Sequence, residues 1–272
     1  MFSTIYHKTK EIERKLRRSF GQDISTPRGR RAAWWYFMLI DHAVLRILWK
    51  NFHRLDDDVW RSNHPSPGML RKLREKAGLR TVVNLRGAAG HAAYLFEREA
   101  CDALGIEMID LHMSAHHPPP RASLVALIDI LRTAPRPMLL HCKSGADRTG
   151  LAAALYLHIL KGVPLEKARR QLHWRFLHFR HGTAGVQDFF FDHYLASANG
   201  LPLEEWIRTR YDEAELARAF AERRGQNPAP AVERARDVKA MLEGLPEDRP
   251  SAPVAREQCR ARQRATGNDR SS

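Results

Sequence analysis

The chain has 272 residues, enough for one domain of ordinary size with additions at its ends. Its 45 Lys and Arg against 31 Asp and Glu give a formal net charge of +14, which favours anionic partners. Three cysteines, Cys101, Cys142 and Cys259, exclude a disulfide framework, and no basic stretch carries the interleaved aromatics of an RNA-binding surface, so nucleic acid is not an expected partner.

Residues 1–54 form a basic extension. Positions 1–31 hold nine Lys or Arg against three acids. The uninterrupted apolar run from Ala32 to Ile40 follows, only nine residues long, whereas a spanning helix needs about twenty. No small-residue cleavage site of the secretory kind comes after it. His42, Arg46 and Lys50 recur every four residues and predict one polar stripe on an apolar helix over 33–50. Such a helix either lies in an anionic membrane interface, making peripheral contact through residues 32–50, or packs on the domain that follows.

That domain is expected over 55–200. Tyr94–Leu104 is an amphipathic helix that places Cys101 inward. Ile106–Met113 alternates like a strand and carries Asp110; the loop Ser114–Pro120 after it holds His116 and His117 but no carboxylate. Met138–Leu140 is short and apolar, a buried strand, and Leu151–Leu157 is a helix.

Between that strand and that helix lies His141-Cys142-Lys143-Ser144-Gly145-Ala146-Asp147-Arg148-Thr149-Gly150. A loop from Lys143 to Arg148 can curl so that successive backbone N–H groups point inward, an oxyanion nest backed by a helix N-terminus. Gly145 lets the backbone approach closely. Arg148 supplies a planar fork for two phosphate oxygens. Helix end and guanidinium together lower the pKa of the Cys142 thiol and make it a nucleophile toward phosphorus. Thr149 can hydrogen-bond the sulfur, and His141 can order the loop from beneath. Lys143 is either a solvated rim residue or a substrate contact.

This run resembles the signature of the cysteine-dependent protein-tyrosine and dual-specificity phosphatases: His-Cys, five residues, Arg, Ser or Thr, then Gly. The resemblance to small bacterial members extends over about 55 to 200: Val59–Pro67 followed by Leu70 and Leu73 looks like their entry strand and first helix, and Thr81–Arg86 looks like their second strand. It implies an α/β three-layer fold: a short, mostly parallel sheet flanked by helices, with the phosphate loop between a central strand and a helix. It implies a phosphate monoester hydrolase working through a phosphocysteine on a phosphorylated protein. The alternative is a phospholipid, glycolipid-phosphate or phosphoinositide substrate in the same loop, and a further one is a phosphate-binding module without turnover. Arg61 and Arg86 are expected as structural ion-pair partners. A cysteine that must stay reduced points to the cytoplasm, with the inner membrane face as a place of peripheral contact.

The proton donor stays open among three places. Asp147 lies inside the loop beside Arg148, within reach of a leaving oxygen, although a helix-capping role also suits it. Asp110 stands 32 residues before Cys142, a spacing like that of the family's acid, but within a strand. His116 and His117 are the third possibility.

Beyond the signature, Pro164–Phe179 predicts a helix with Leu165, Ala168, Leu172 and Phe176 inward. Thr183–Leu195 predicts another, and residues 201–224 a last one opened by Pro202 and running to about Phe220. His173, His178, His181 and His193 show no ligand spacing, so no metal or cofactor is expected. Residues 225–272 read as a polar tail, with at most one short helix over 231–245 and a disordered end.

Overall fold

The computed structural model describes residues 24–35, 38, 49–88 and 92–243. A five-stranded sheet runs through the centre in the order β1-β2-β5-β3-β4. The strands are β1 (His53–Arg54), β2 (Val59–Ser62), β3 (Thr81–Asn84), β4 (Glu107–Asp110) and β5 (Met138–His141). The last four are parallel, and β1 closes one edge antiparallel to β2. β3 and β5 are buried at every position, as expected of central strands covered on both faces.

Alternation along β5 divides the core. Leu140 joins Val83, Leu124, Leu127, Ile128 and Leu151 on one face, beneath α4 (Arg121–Thr133) and α5 (Asp147–Leu155). Leu139 joins Leu70, Val82, Cys101 and Met108 on the other, beneath α2 (Pro67–Ala77) and α3 (Ala92–Leu104). The expected three-layer α/β architecture is therefore present. Register aligns Ser62, His141 and Asn84 across the sheet, with Asp110 beside Asn84. Cys142 thus emerges at the carboxyl end of the central strand, where open α/β sheets bind ligands.

The amino-terminal helix α1 (Pro27–Trp35) is fastened to α3 by Arg30, which pairs with Glu99 at 2.5 Å, and by Ala33, buried beside Ala92. Most of the helix expected over 33–50 lies outside the described residues. Among the described residues no helix is long and apolar enough to cross a membrane.

Two expectations change after β5. Pro164–Phe179 is not one helix. It comprises α6 (Leu165–Ala168) and 3-10 turns at Arg169–Gln171 and Trp174–Phe176, separated by extended backbone at His173. The Gln171 carbonyl accepts from Arg61 Nη1 at 2.9 Å instead of entering a helical ladder. Leu172 and Phe176 are buried all the same. After α7 (Val186–Ser197), the helix expected from Pro202 to Phe220 is two, α8 (Leu203–Thr209) and α9 (Glu213–Arg223). Asp212 starts the second by accepting from the amides of Ala214 and Glu215. The helix expected over 231–245 is α10 (Ala229–Glu243), of the same length and begun two residues earlier, and it seats Val232 and Ala235 against Ala217. The end expected to be disordered, with Cys259, lies outside the described residues.

Candidate active site

The loop Cys142–Ala146 is held from outside, carbonyl by carbonyl. His141 Nδ1 donates to the Cys142 carbonyl at 3.3 Å. The His64 amide donates to that of Lys143 at 3.2 Å, Asn51 Nδ2 to that of Ser144 at 2.9 Å, and Arg61 Nη2 to that of Gly145 at 2.5 Å. In a trans peptide the following N–H points opposite to the carbonyl. The amides of Lys143, Ser144, Gly145 and Ala146 are therefore turned to the other side, into a nest for an oxyanion. Gly145 has φ +75°, and a Cβ there would lie 2.7 Å from the backbone of Ser62 and Asn63. Only glycine lets β2 press so closely on the loop.

Cys142 is 1% exposed. Burial pushes its thiol pKa up, but the Arg148 charge and the hydroxyl and amide of Thr149 outweigh that and bring it below the ordinary value. Among the described residues the buried Thr149 hydroxyl has no other partner. Arg148 touches the Met113 carbonyl through Nη1 at 3.3 Å, while its buried Nε has no partner among the described residues. A buried orphan donor costs stability unless a ligand completes it, and a bidentate oxyanion would do so. Burial pushes the Cys101 thiol far up instead, so the two described cysteines differ in kind.

Beneath the loop, Glu97 is fully buried between two histidines. His141 Nε2 lies 2.8 Å from Oε1, and His64 Nδ1 lies 3.5 Å from Oε2. These three are close enough to surround a metal ion. Arg86 Nη1, however, stands 3.3 Å from the same His64 nitrogen, and Nε2 of His64 meets the Ala93 carbonyl at 3.1 Å. A guanidinium beside the would-be ligand opposes a second cation.

Asp147, at the start of α5, is half of an unexpected contact. Its Oδ1 lies 2.7 Å from His178 Nδ1, and His178 Nε2 lies 2.5 Å from Asp188 Oδ2 on α7. Burial alone would lower the His178 pKa, but the hydrogen bonds and charges of Asp147 and Asp188 raise it to about 9. In the sequence His178 stands out only as one of four histidines without ligand spacing. Its partners lie 31 and 10 residues away, and no local pattern marks them.

The other acid candidates are engaged elsewhere. Asp110 binds Asn84 through Oδ1 at 2.8 Å, and Tyr94 and Arg98 through Oδ2 at 2.8 and 2.5 Å. His116 Nδ1 meets the Thr183 hydroxyl at 2.9 Å. His117 Nε2 accepts from Arg234 of α10 at 3.0 Å; burial and that charge lower its pKa. Arg61 is not an ion-pair partner among the described residues. It is buried, donates to Gly145 and Gln171, and stacks 4.0 Å from the Phe176 ring centre.

Residues 51–183, which span the sheet, the loop and its fastenings, match the family model described as "DSP-PTPase phosphatase fused to NAD+ Kinase". The match places residues 51–183 in the cysteine-dependent protein-tyrosine and dual-specificity phosphatase superfamily. Those residues form a phosphatase domain of that type. No curated protein sequence matches it. Solved structures similar to the phosphatase include TpbA of P. aeruginosa, at 22% identity over 58% of this chain and 89% of that one, TM-score 0.44. The core catalytic domain of the PP-IP phosphatase SIW14 from S. cerevisiae is 21% identical over 56% and 95%, TM-score 0.44. PTPMT1, solved in complex with PI(5)P, is 19% identical over 54% and 98%, TM-score 0.41.

Proposed function

We propose that this phosphatase hydrolyses phosphate monoesters of the protein-tyrosine and dual-specificity kind through a phosphocysteine on Cys142. The observation that carries the reading is the outward fastening of four successive loop carbonyls around a buried thiol of lowered pKa. Cys142 attacks phosphorus as the ester oxygen leaves. The loop amides and Arg148 hold the three equatorial oxygens, and Thr149 stabilises the thiolate when it leaves in the second step. Asp147 protonates the leaving oxygen and then takes the proton of the attacking water. Asp110 has both oxygens committed to Asn84, Tyr94 and Arg98, which favours Asp147.

One observation favours a lipid phosphate as the alternative substrate. A cavity of about 1020 Å³ opens beside Asn63 and His64, lined by Trp34, Trp35 and Met69 and by Arg31, Lys50 and Lys72. An apolar wall with cations suits an amphiphilic anion and would bring the phosphatase to an anionic membrane surface, on the reducing, cytoplasmic side where the thiol persists.

Hydrolysis of a matched panel tests both readings: a phosphotyrosine peptide, a phosphoserine peptide, phosphoinositides and a glycolipid phosphate, with wild type and Cys142→Ser. Turnover of the tyrosine peptide, abolished in Cys142→Ser and trapped as a phosphoenzyme at Cys142 in the wild type, is expected. Preference for the lipids by tenfold or more in kcat/KM, about 1.4 kcal/mol, selects the alternative. Full activity of Cys142→Ser overturns the mechanism.

A further inference from the structure

We propose that His178, clamped by Asp188, is the positioning residue and proton reservoir for Asp147 in this reaction. The inference rests on the preceding reading, in which Asp147 serves the leaving group.

Three side chains from three parts of the fold meet in a row. Asp147 opens α5 directly after the loop, His178 lies in the irregular segment before α7, and Asp188 is in the first turn of α7. The distances, 2.7 Å from Asp147 Oδ1 to Nδ1 and 2.5 Å from Nε2 to Asp188 Oδ2, make each ring nitrogen a donor, because a carboxylate only accepts. The His178 side chain is 1% exposed, so bulk water does not exchange freely with this proton. Among the described residues, Asp147 and Asp188 are the charged groups that act on the ring, and both favour the imidazolium.

The geometry divides two jobs. Asp188 fixes the ring and compensates its charge. The Nδ1 proton faces the one carboxylate that also belongs to the phosphate loop. In the first step the S–P bond forms at Cys142 while the P–O bond to the leaving group breaks. The leaving oxygen takes a proton from Asp147, and Asp147 takes the Nδ1 proton of His178. Neutral imidazole remains, with Nε2–H still on Asp188. In the second step water attacks phosphorus and the S–P bond breaks. The proton lost by water passes to Asp147 and back to Nδ1. Charge and protons balance over the cycle, and the acid is recharged inside the protein rather than from solvent.

A structural strut between α5 and α7 would use the same contacts, so the test must separate the two. The substrates are 4-nitrophenyl phosphate, whose leaving group needs no proton, and a simple alkyl phosphate, whose leaving group does. His178→Gln keeps a donor toward Asp147 but has no titrating proton. Its kcat is expected to fall about 100-fold on the alkyl ester and less than about threefold on the aryl ester. The basic limb of kcat for the wild type on the alkyl ester is expected near pH 9. In Asp188→Asn that limb should move down by about one unit, because one favourable charge on the imidazolium is gone.

Equal losses on the two esters, or a basic limb that does not move in Asp188→Asn, overturn the proposal. Should His178→Gln fail to fold, NMR titration of the wild-type ring decides: an imidazolium persisting above pH 8 supports the relay, and a midpoint near the ordinary ~6.5 overturns it. Asp147→Asn separates this inference from its parent. Leaving-group dependence in Asp147→Asn without any in His178→Gln defeats the relay alone. Its absence in both defeats the role of Asp147, and the relay with it.

Discussion

Arg61 Nη2 donates to the Gly145 carbonyl at 2.5 Å, so a residue of β2 holds the phosphate loop open from behind. The guanidinium is fully buried. That burial draws its pKa down to about 9, the Cys142 charge acts in the opposite direction, and the group stays cationic at neutral pH. Its other nitrogen holds Gln171, so loop and downstream segment share one anchor. Arg61→Met should release the carbonyl, let the peptide turn and spoil the nest. The expected loss is about 100-fold in kcat/KM with a loss of stability on the order of 2 kcal/mol. Kinetics together with urea unfolding check this, and unchanged kcat/KM in a folded variant would remove Arg61 from the site.

Two glycines with the same backbone sign should behave differently. Gly145 at φ +75° has the backbone of Ser62 and Asn63 where a Cβ would go, whereas Gly78 at φ +64° has open space. Gly145→Ala must displace either β2 or the loop, and activity should fall about 100-fold or more. Gly78→Ala bears only the left-handed backbone cost, about 1 kcal/mol, with kcat/KM intact. Thermal melts and turnover of both variants side by side check the contrast. Similar activity losses at the two positions would mean that close approach is not what Gly145 provides.

Much of this site was legible in the chain because phosphate chemistry dictates residue types locally. Cys142, Gly145, Arg148 and Thr149 lie within eight positions, and β5 declares itself as a short apolar run, buried at every position. What escaped depends on partners distant in sequence. Arg61 reaches Gly145 and Gln171 across 84 and 110 residues, and no ion-pair pattern announces a bond to a carbonyl. The periodicity over 164–179 is genuine, since Leu172 and Phe176 are buried. The helix fails there because Arg61 holds the Gln171 carbonyl, which also lies close against Gly150. His178 looked like one histidine among several until Asp147 and Asp188 flanked it.

The thiols offer a direct chemical test. Arg148 and Thr149 hold the Cys142 pKa below the ordinary value, while burial drives that of Cys101 far above it. Iodoacetamide should therefore modify Cys142 with a midpoint below the free-thiol value of ~8.5, and inorganic phosphate should protect it. Cys101 should react only on unfolding. Arg148→Ala removes the largest lowering influence and should raise the midpoint by about one unit or more. Peptide mapping by mass spectrometry across pH 5–9 resolves the sites. A Cys142 midpoint equal to that of a free thiol would sink the activated-nucleophile assignment.

His178 also ties stability to pH, with a sign fixed by its raised pKa. Folding lifts that value from the ordinary 6.5 to about 9, because Asp147 and Asp188 favour the imidazolium more than burial opposes it. The folded state then binds a proton that the unfolded state has released, across the window from about pH 6.5 to about pH 9. The stabilisation is complete below that window and is lost as pH rises through it. Wild type should therefore exceed His178→Gln by on the order of 2 kcal/mol at pH 6, with the gap closing by about pH 10. Asp188→Asn should show a smaller gap over a narrower window, since one of the two compensating carboxylates is neutral. Urea unfolding of the three proteins at several pH values measures this. A gap of constant size from pH 6 to 10 would mean that the contact is a strut whose proton never moves, and would count against the relay as well.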